Sequence, residues 1–255
     1  MRIFFRQFAV ILILIGVALP VTGAETRIKS NGTGSLATGM TGTRVKPGAG
    51  GNAVVSEATA PTTLSAYAEE LAKILTFDRN VLVLVKKETQ ASIHRLIGFD
   101  EEGYQIYAPG ISVPVPEDRT DSILGSLRKK LRPLRYMAFV VEINSGLKID
   151  KIGVLKGTDQ YEILRIMQTG GEEYDITNRD VIDRLREWEN IAQFEILGAD
   201  SDWVEIGFKT LPKDMNAFVE EVYEFCPDAV DQGPGSIEGL IKEIKRTNRL
   251  FLWWD

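Results

Sequence analysis

The chain has 255 residues, 44% of them hydrophobic and 26% charged, with a net charge of −6. That apolar mass is enough for one domain with a real core or two small ones. The acidic balance, with no basic stripe interleaved with aromatics, argues against nucleic acid as a partner. One cysteine, Cys226, excludes an intrachain disulfide, a thiol redox pair and any multi-cysteine metal site.

The N-terminus carries the clearest signal. Arg2 and Arg6 form a basic start, and FAVILILIGVAL over residues 8–19 is an apolar run too short for a comfortable membrane span. Pro20 and the small residues Thr22, Gly23 and Ala24 follow, as at a signal-peptidase site. The expectation is a signal peptide over 1–24 and an exported protein, periplasmic or secreted. The alternative is an inner-membrane anchor made by the uncleaved segment. No membrane contact beyond that segment is expected, and no cysteine near the cut suits lipidation.

Residues 25–62 are rich in Gly, Thr, Ala and Ser and nearly free of large apolar residues, so a disordered linker is expected. Leu64, Tyr67, Ala68, Leu71, Ala72 and Leu75 then follow helical spacing, with Thr62 or Thr63 as cap. NVLVLV at 80–85 reads as a short buried strand. Residues 93–99 and 104–107 flank Asp100-Glu101-Glu102-Gly103 and suggest a hairpin. APGISVPVPEDR carries three prolines and reads as an edge or loop. Residues 121–131 suit a helix whose basic end, RKKLR, complements its dipole. Strands are expected over 136–143 and 149–156, joined by the turn Asn144-Ser145-Gly146.

Thr158 or Asp159 is expected to cap a helix through Met167, with Glu162 completing a capping box on Asp159. Thr177 or Asn178 caps a helix through Trp188, and strands follow at 194–197 and 203–208 around a turn holding Asp200 and Asp202. Asp214 caps a helix that Pro227 ends, and Ser236 caps another with Ile237, Leu240, Ile241 and Ile244 on one stripe. Residues 250–254 are apolar on both alternating faces and read as an interior strand holding Trp253 and Trp254. Mixed strands and helices without a βαβ rhythm predict an α+β fold, a mainly antiparallel sheet with helices packed on it.

The runs KGTDQYEILRIMQTGGEEYDITNRDVIDRLREWE, ILGADSDWVEIGF, YEFCPDAVDQGPGSIEGL and LFLWWD together resemble the bacterial domain-of-unknown-function family 4253. FCPD, DQG and a terminal WWD in this order mark the family. The resemblance implies a C-terminal α+β domain over 146–255, behind an N-terminal α+β part over 63–145. It brings no activity, cofactor or site residue with it. Where family members often carry Asn before the Tyr-Asp pair, this chain has Glu173 before Tyr174 and Asp175.

The candidate chemistry lies near the C-terminus. Cys226 could serve as a nucleophile given a base, but the only histidine, His94, is distant in sequence, and a buried small residue at a helix end is the plainer reading. Asp228, Asp231 and Gln232, with Asp255, could act in catalysis or hold a cation, or could simply cap helices. Trp188, Trp253 and Trp254 read as core, their indole N–H groups needing acceptors. No Ser-His-Asp, zinc or phosphate-loop pattern is present, and no cofactor is implied. The expected function is non-enzymatic binding of an unknown protein partner, an immunity-like antagonist being one form. The alternative is an enzyme using the Cys/Asp/Gln loop, with or without a metal. N-terminal sequencing of the exported protein should begin at Ala24 or Glu25; a mature form that still starts at Met1 would mean an anchor.

Overall fold

The structure, a computed structural model, describes residues 63–143 and 148–254. The expected signal peptide, the linker, the Thr62 cap, the Asn144-Ser145-Gly146 turn and Asp255 lie outside the described residues. In chain order the helices are α1 (Ala66–Ile74), α2 (Arg79–Thr89), α3 (Thr120–Leu131), α4 (Tyr161–Met167), α5 (Asn178–Glu189), α6 (Met215–Phe225), α7 (Asp228–Asp231) and α8 (Ile237–Thr247). The strands are β1 (His94–Phe99), β2 (Gln105–Pro116), β3 (Tyr136–Glu142), β4 (Ile149–Lys156), β5 (Phe194–Ala199), β6 (Trp203–Phe208) and β7 (Arg249–Trp253). All seven strands share one sheet, ordered β1-β2-β4-β3-β5-β6-β7. Every pairing is antiparallel except β3 with β5, so the α+β class holds.

Side-chain alternation divides the core between the two sheet faces. Tyr136, Ala138 and Val140 of β3, with Ile152 and Val154 of β4, pack against α1, α2 and α3. Phe139, Val141 and Leu155 turn the other way and join α4 to α8 and the inward residues of β5, β6 and β7. Strands covered on both faces need apolar residues at successive positions, which is why β3 reads YMAFVVE. The sheet runs without a break through both expected parts, with β4 lying between β2 and β3.

Four expectations are corrected. NVLVLV is helical, within α2. Asp78 accepts from the Asn80 N–H at 2.9 Å, and Val81, Leu82 and Val85 form one buried stripe. Burial on a helical face outweighs the weak β preference of valine. The proline-rich stretch lies in a long inner strand, β2. Pro109 falls in the irregularity between the pairs Ile97–Tyr107 and Arg95–Ile111, and pairing to β1 stops at Ser112, before Pro114 and Pro116. The prolines therefore sit where no ladder donor is needed on the β1 side. The capping box at α4 is not formed: Asp159 accepts from the Tyr161 N–H at 3.0 Å, while Glu162 pairs with Arg165. Finally, β7 is an edge strand, not an interior one. Leu252 and Trp254 are buried, whereas Phe251 and Trp253 are half-buried on the opposite face. There Trp203 stacks on Phe251 with centroids 5.2 Å apart.

Caps appear elsewhere largely as expected. Thr177 and Asp180 form a capping box on α5, Asp214 caps α6 and Ser236 caps α8. At α1 the cap is Ser65, two residues beyond Thr63, in place of the expected threonine.

The parallel junction of β3 and β5 rests on one register pair, Val140 with Gly198, flanked by irregularities in both strands. A Cβ on Gly198 would lie 2.8 Å from the Val140 carbonyl oxygen and 2.9 Å from the Val140 Cβ. Gly198→Ala should therefore lower stability by about 1–3 kcal/mol in urea unfolding. Gly125→Ala, on an open face of α3 with nothing within 4 Å of the new Cβ, should instead be neutral or stabilise by about 0.5–1 kcal/mol. Equal losses in the two variants would show that the junction is not tight.

Candidate functional site

The C-terminal signature closes on itself in the core. Pro227 ends α6, and Cys226 is fully buried there, its thiol donating to the Trp253 carbonyl at 3.0 Å. Burial pushes that thiol up to about 12, so it stays protonated. His94 is exposed on β1, at the opposite edge of the sheet from β7. With strands about 4.8 Å apart, roughly 25 Å or more separates the two, and they form no nucleophile–base pair.

The aspartates expected on a loop lie in the short helix α7. Asp228 is buried and accepts from the Tyr174 hydroxyl at 2.9 Å and the Gln232 amide at 2.8 Å. The hydrogen bond to Asp228, then burial, pushes Tyr174 up to about 12. Asp231 accepts from the Tyr223 hydroxyl at 3.3 Å on the surface. The Trp254 indole donates to the Phe225 carbonyl at 3.3 Å, and its ring lies against Gly171, where a Cβ would come within 2.6 Å. The Trp188 indole donates to Glu221 at 3.2 Å. The signature residues thus brace α6, α7, β7 and the turn before α5. Among the described residues no group of three His, Cys, Asp or Glu could hold a metal ion. Asp255 lies outside the described residues.

Asp200, in the β5–β6 turn, accepts from the Ser201 N–H at 2.9 Å. Burial raises its carboxyl to about 7, with Asp202 and Glu142 adding to the rise.

A different set of side chains surrounds open space. Below the Val140–Gly198 pair, β3 and β5 separate, and a cavity of about 530 Å³ opens between their first residues. Met137 and Ala138 line one side, and Phe194 and Ile196 the other. Separated strands leave ladder groups without neighbours, and each must find a partner. The Arg128 guanidinium, from α3, donates to the Ile196 carbonyl at 2.7 Å and the Ala138 carbonyl at 3.4 Å. Gln160 accepts from the Ile196 N–H at 2.9 Å.

Glu195 sits in a ring of cations. Arg128 reaches one carboxylate oxygen at 2.8 Å, and Lys209, at 2.5 Å, and Arg132 reach the other. Burial pushes this carboxyl up, but the Lys209 hydrogen bond and the charges of Arg128, Lys209 and Arg132 prevail and hold it at about 2. On the far wall Asp159 pairs with Arg165 at 3.0 Å and Glu189 accepts from Gln160 at 2.6 Å. Tyr161 lies in the same lining. Its hydroxyl is buried close to the Glu189 carboxylate and makes no well-formed hydrogen bond. Burial, then the nearby Glu189 carboxylate, keeps the phenol protonated well above its ordinary range.

Residues 151–255 match the family described as Domain of unknown function (DUF4253). This segment belongs to that family. No curated protein and no solved structure matches the chain. The DUF4253 segment supplies Gln160, Tyr161, Glu189, Glu195 and Lys209 to the cavity, while Arg128, Arg132 and Met137 come from before it.

None of these cavity residues stood out in sequence. Arg128 and Arg132 were visible only as the basic end of α3, and nothing in the spacing marks Tyr161 or Glu195. A carboxyl held at about 2 favours the folded state above its unfolded value near 4.5, and that contribution is lost as pH falls toward 2. Glu195→Gln should therefore flatten the fall of stability between pH 4.5 and 2, followed by urea unfolding. An acid limb as steep as that of the unaltered protein would assign the fall to other groups.

Proposed function

We propose that this chain is an exported binding protein that carries out no reaction and takes a small ligand into the cavity between β3 and β5. The observation that carries this reading is the cavity itself: about 530 Å³, within the usual 300–1,000 Å³ of small-molecule sites, with an apolar floor and convergent polar groups. Its ionisable groups are poorly suited to proton transfer near neutrality. Glu195 is a fixed anion at about 2, Asp159 is held low by Arg165 against its burial, and the Tyr161 phenol is fixed in its neutral form. General acid–base catalysis works best with a group titrating near the working pH. Of the residues first considered for catalysis, Cys226 and Asp228 are joined to neighbours in the core, Gln232 and Asp231 bond Asp228 and Tyr223 from exposed positions, and Asp255 lies outside the described residues. Export rests on the basic and apolar N-terminal segment followed by small residues.

Native mass spectrometry after incubating the protein with a bacterial metabolite extract tests this. The expected outcome is a small-molecule adduct that denaturation releases with its mass unchanged. Conversion of the bound molecule to a different mass would refute the non-enzymatic reading, and a bare protein throughout would refute the ligand site.

A further inference from the structure

We infer that the cavity selects small organic anions: an oxyanion, carboxylate or phosphate, at the mouth, and an uncharged acceptor atom deeper in that reaches Tyr161. This rests on the cavity being a ligand site, and adds the chemistry of what it takes.

The charge arithmetic at Glu195 comes first. One carboxylate is met by three cations, so the cluster has a net positive charge. Arg128 is spent on structure, since its donors also hold the Ile196 and Ala138 carbonyls. Arg132 and Lys209 differ. Their side chains are 64% and 52% exposed, and the structure shows each meeting Glu195 alone among the described residues. A guanidinium has five N–H donors and an ammonium three, so both keep donors to offer at the mouth. An incoming oxyanion would complete a cluster of three cations and two anions, and Arg132 can meet it in the fork geometry that suits carboxylate and phosphate. The fixed negative charge of Glu195 holds the cations in place before the ligand arrives, which reduces the ordering cost of binding.

Tyr161 is the second and independent observation. The residue is 6% exposed, it lines the same cavity, and its hydroxyl, close to the Glu189 carboxylate, makes no well-formed hydrogen bond. A buried hydroxyl left unpaired destabilises a fold, so a polar atom entering from the cavity would relieve that cost. The phenol stays protonated and so offers a donor, which suits an ether, hydroxyl or carbonyl oxygen of the ligand. Arg186 lies over the ring, 4.9 Å from its centroid, and fixes its plane.

On the opposite wall Asp159 is paired with Arg165, while Glu189, bonded by the neutral Gln160 amide, keeps its charge, so the anionic group of a ligand belongs at Arg132 and Lys209 and its uncharged part toward Glu189 and Tyr161. A purely cationic ligand would meet Arg132 and Lys209 at the entrance.

Isothermal titration calorimetry with glycerol 3-phosphate and with malate tests the inference, the two probes separating phosphate from carboxylate recognition. At least one should bind, and glycerol, which lacks the charge, should not. Arg132→Gln combined with Lys209→Gln should weaken the binding probe by about tenfold or more and reduce its salt dependence. Tyr161→Phe should weaken it by about threefold to tenfold. The same Tyr161→Phe variant should raise, not lower, the melting temperature of the free protein, because it removes an unpaired buried hydroxyl. That opposite movement of affinity and stability is the signature a merely structural tyrosine would not give. Neither probe binding, glycerol binding as well as they do, or Tyr161→Phe lowering stability with affinity intact would each overturn the inference. If native mass spectrometry finds a neutral or cationic ligand, the anion inference falls while the ligand site stands. If it finds none, both fall.

Discussion

The junction of β3 with β5 is the constraint on which the rest of the structure depends. It is the sheet's single parallel pairing, and it joins the hairpin half, β1 to β4, to the half formed by β5, β6 and β7. One register pair cannot align two strands along their length. Gly198 lets the backbones approach at that point, and beyond it they separate. Separation creates two needs: carbonyls and N–H groups without ladder partners, and space. Arg128 and Gln160 meet the first, and the second is the cavity. The candidate site is thus a consequence of how the two halves of the sheet are joined. Its location, at an adjacent parallel pair within a mostly antiparallel sheet, follows from the same cause.

The C-terminal signature has a complementary part. Strand β7 is an edge, and an edge strand is held by fewer ladder bonds than an inner one. Here side chains make up the difference. The Cys226 thiol bonds the Trp253 carbonyl, the Trp254 indole bonds the Phe225 carbonyl, and the Trp254 ring covers Gly171. Tyr174 and Gln232 both reach Asp228 and tie α7 to the turn before α5. Residue types that look reactive in a sequence are here placed by packing and hydrogen bonding. This brace holds the half of the sheet that brings Glu195 and Lys209 to the cavity.

The starts of α5, α6 and α8 were legible, whereas those of α1 and α4 were not. Asp214, Ser236 and the Thr177–Asp180 pair cap helices through contacts spanning three residues or fewer, and such contacts are written into short stretches of chain. The 93–107 hairpin and the apolar strands β3 and β4 were legible for the same reason. NVLVLV was misread because its composition suits a strand, while its helical stripe acquires meaning only against α3 and the sheet. The prolines of β2 misled because their tolerance depends on where β1 stops pairing, a fact about another strand. The terminal tryptophans were read as interior, yet position in the sheet placed β7 at the edge, with Trp253 half-buried and Trp254 covered by α6 and Gly171.

Sequence by itself determined the α+β class, the caps of α5, α6 and α8, the family signature and the single-cysteine chemistry, because each depends on composition or on neighbours a few residues apart. Tertiary structure alone decided which groups Cys226 and Asp228 bond, and that Arg128, Arg132, Tyr161, Glu195 and Lys209 surround one cavity. These last residues lie on α3 and just after it, on α4, on β5 and just after β6, up to 81 positions apart by number, and no local pattern relates them. What relates them is the separation of two strands that meet at one glycine, and that is a property of strand order, which emerges only when the whole sheet has formed.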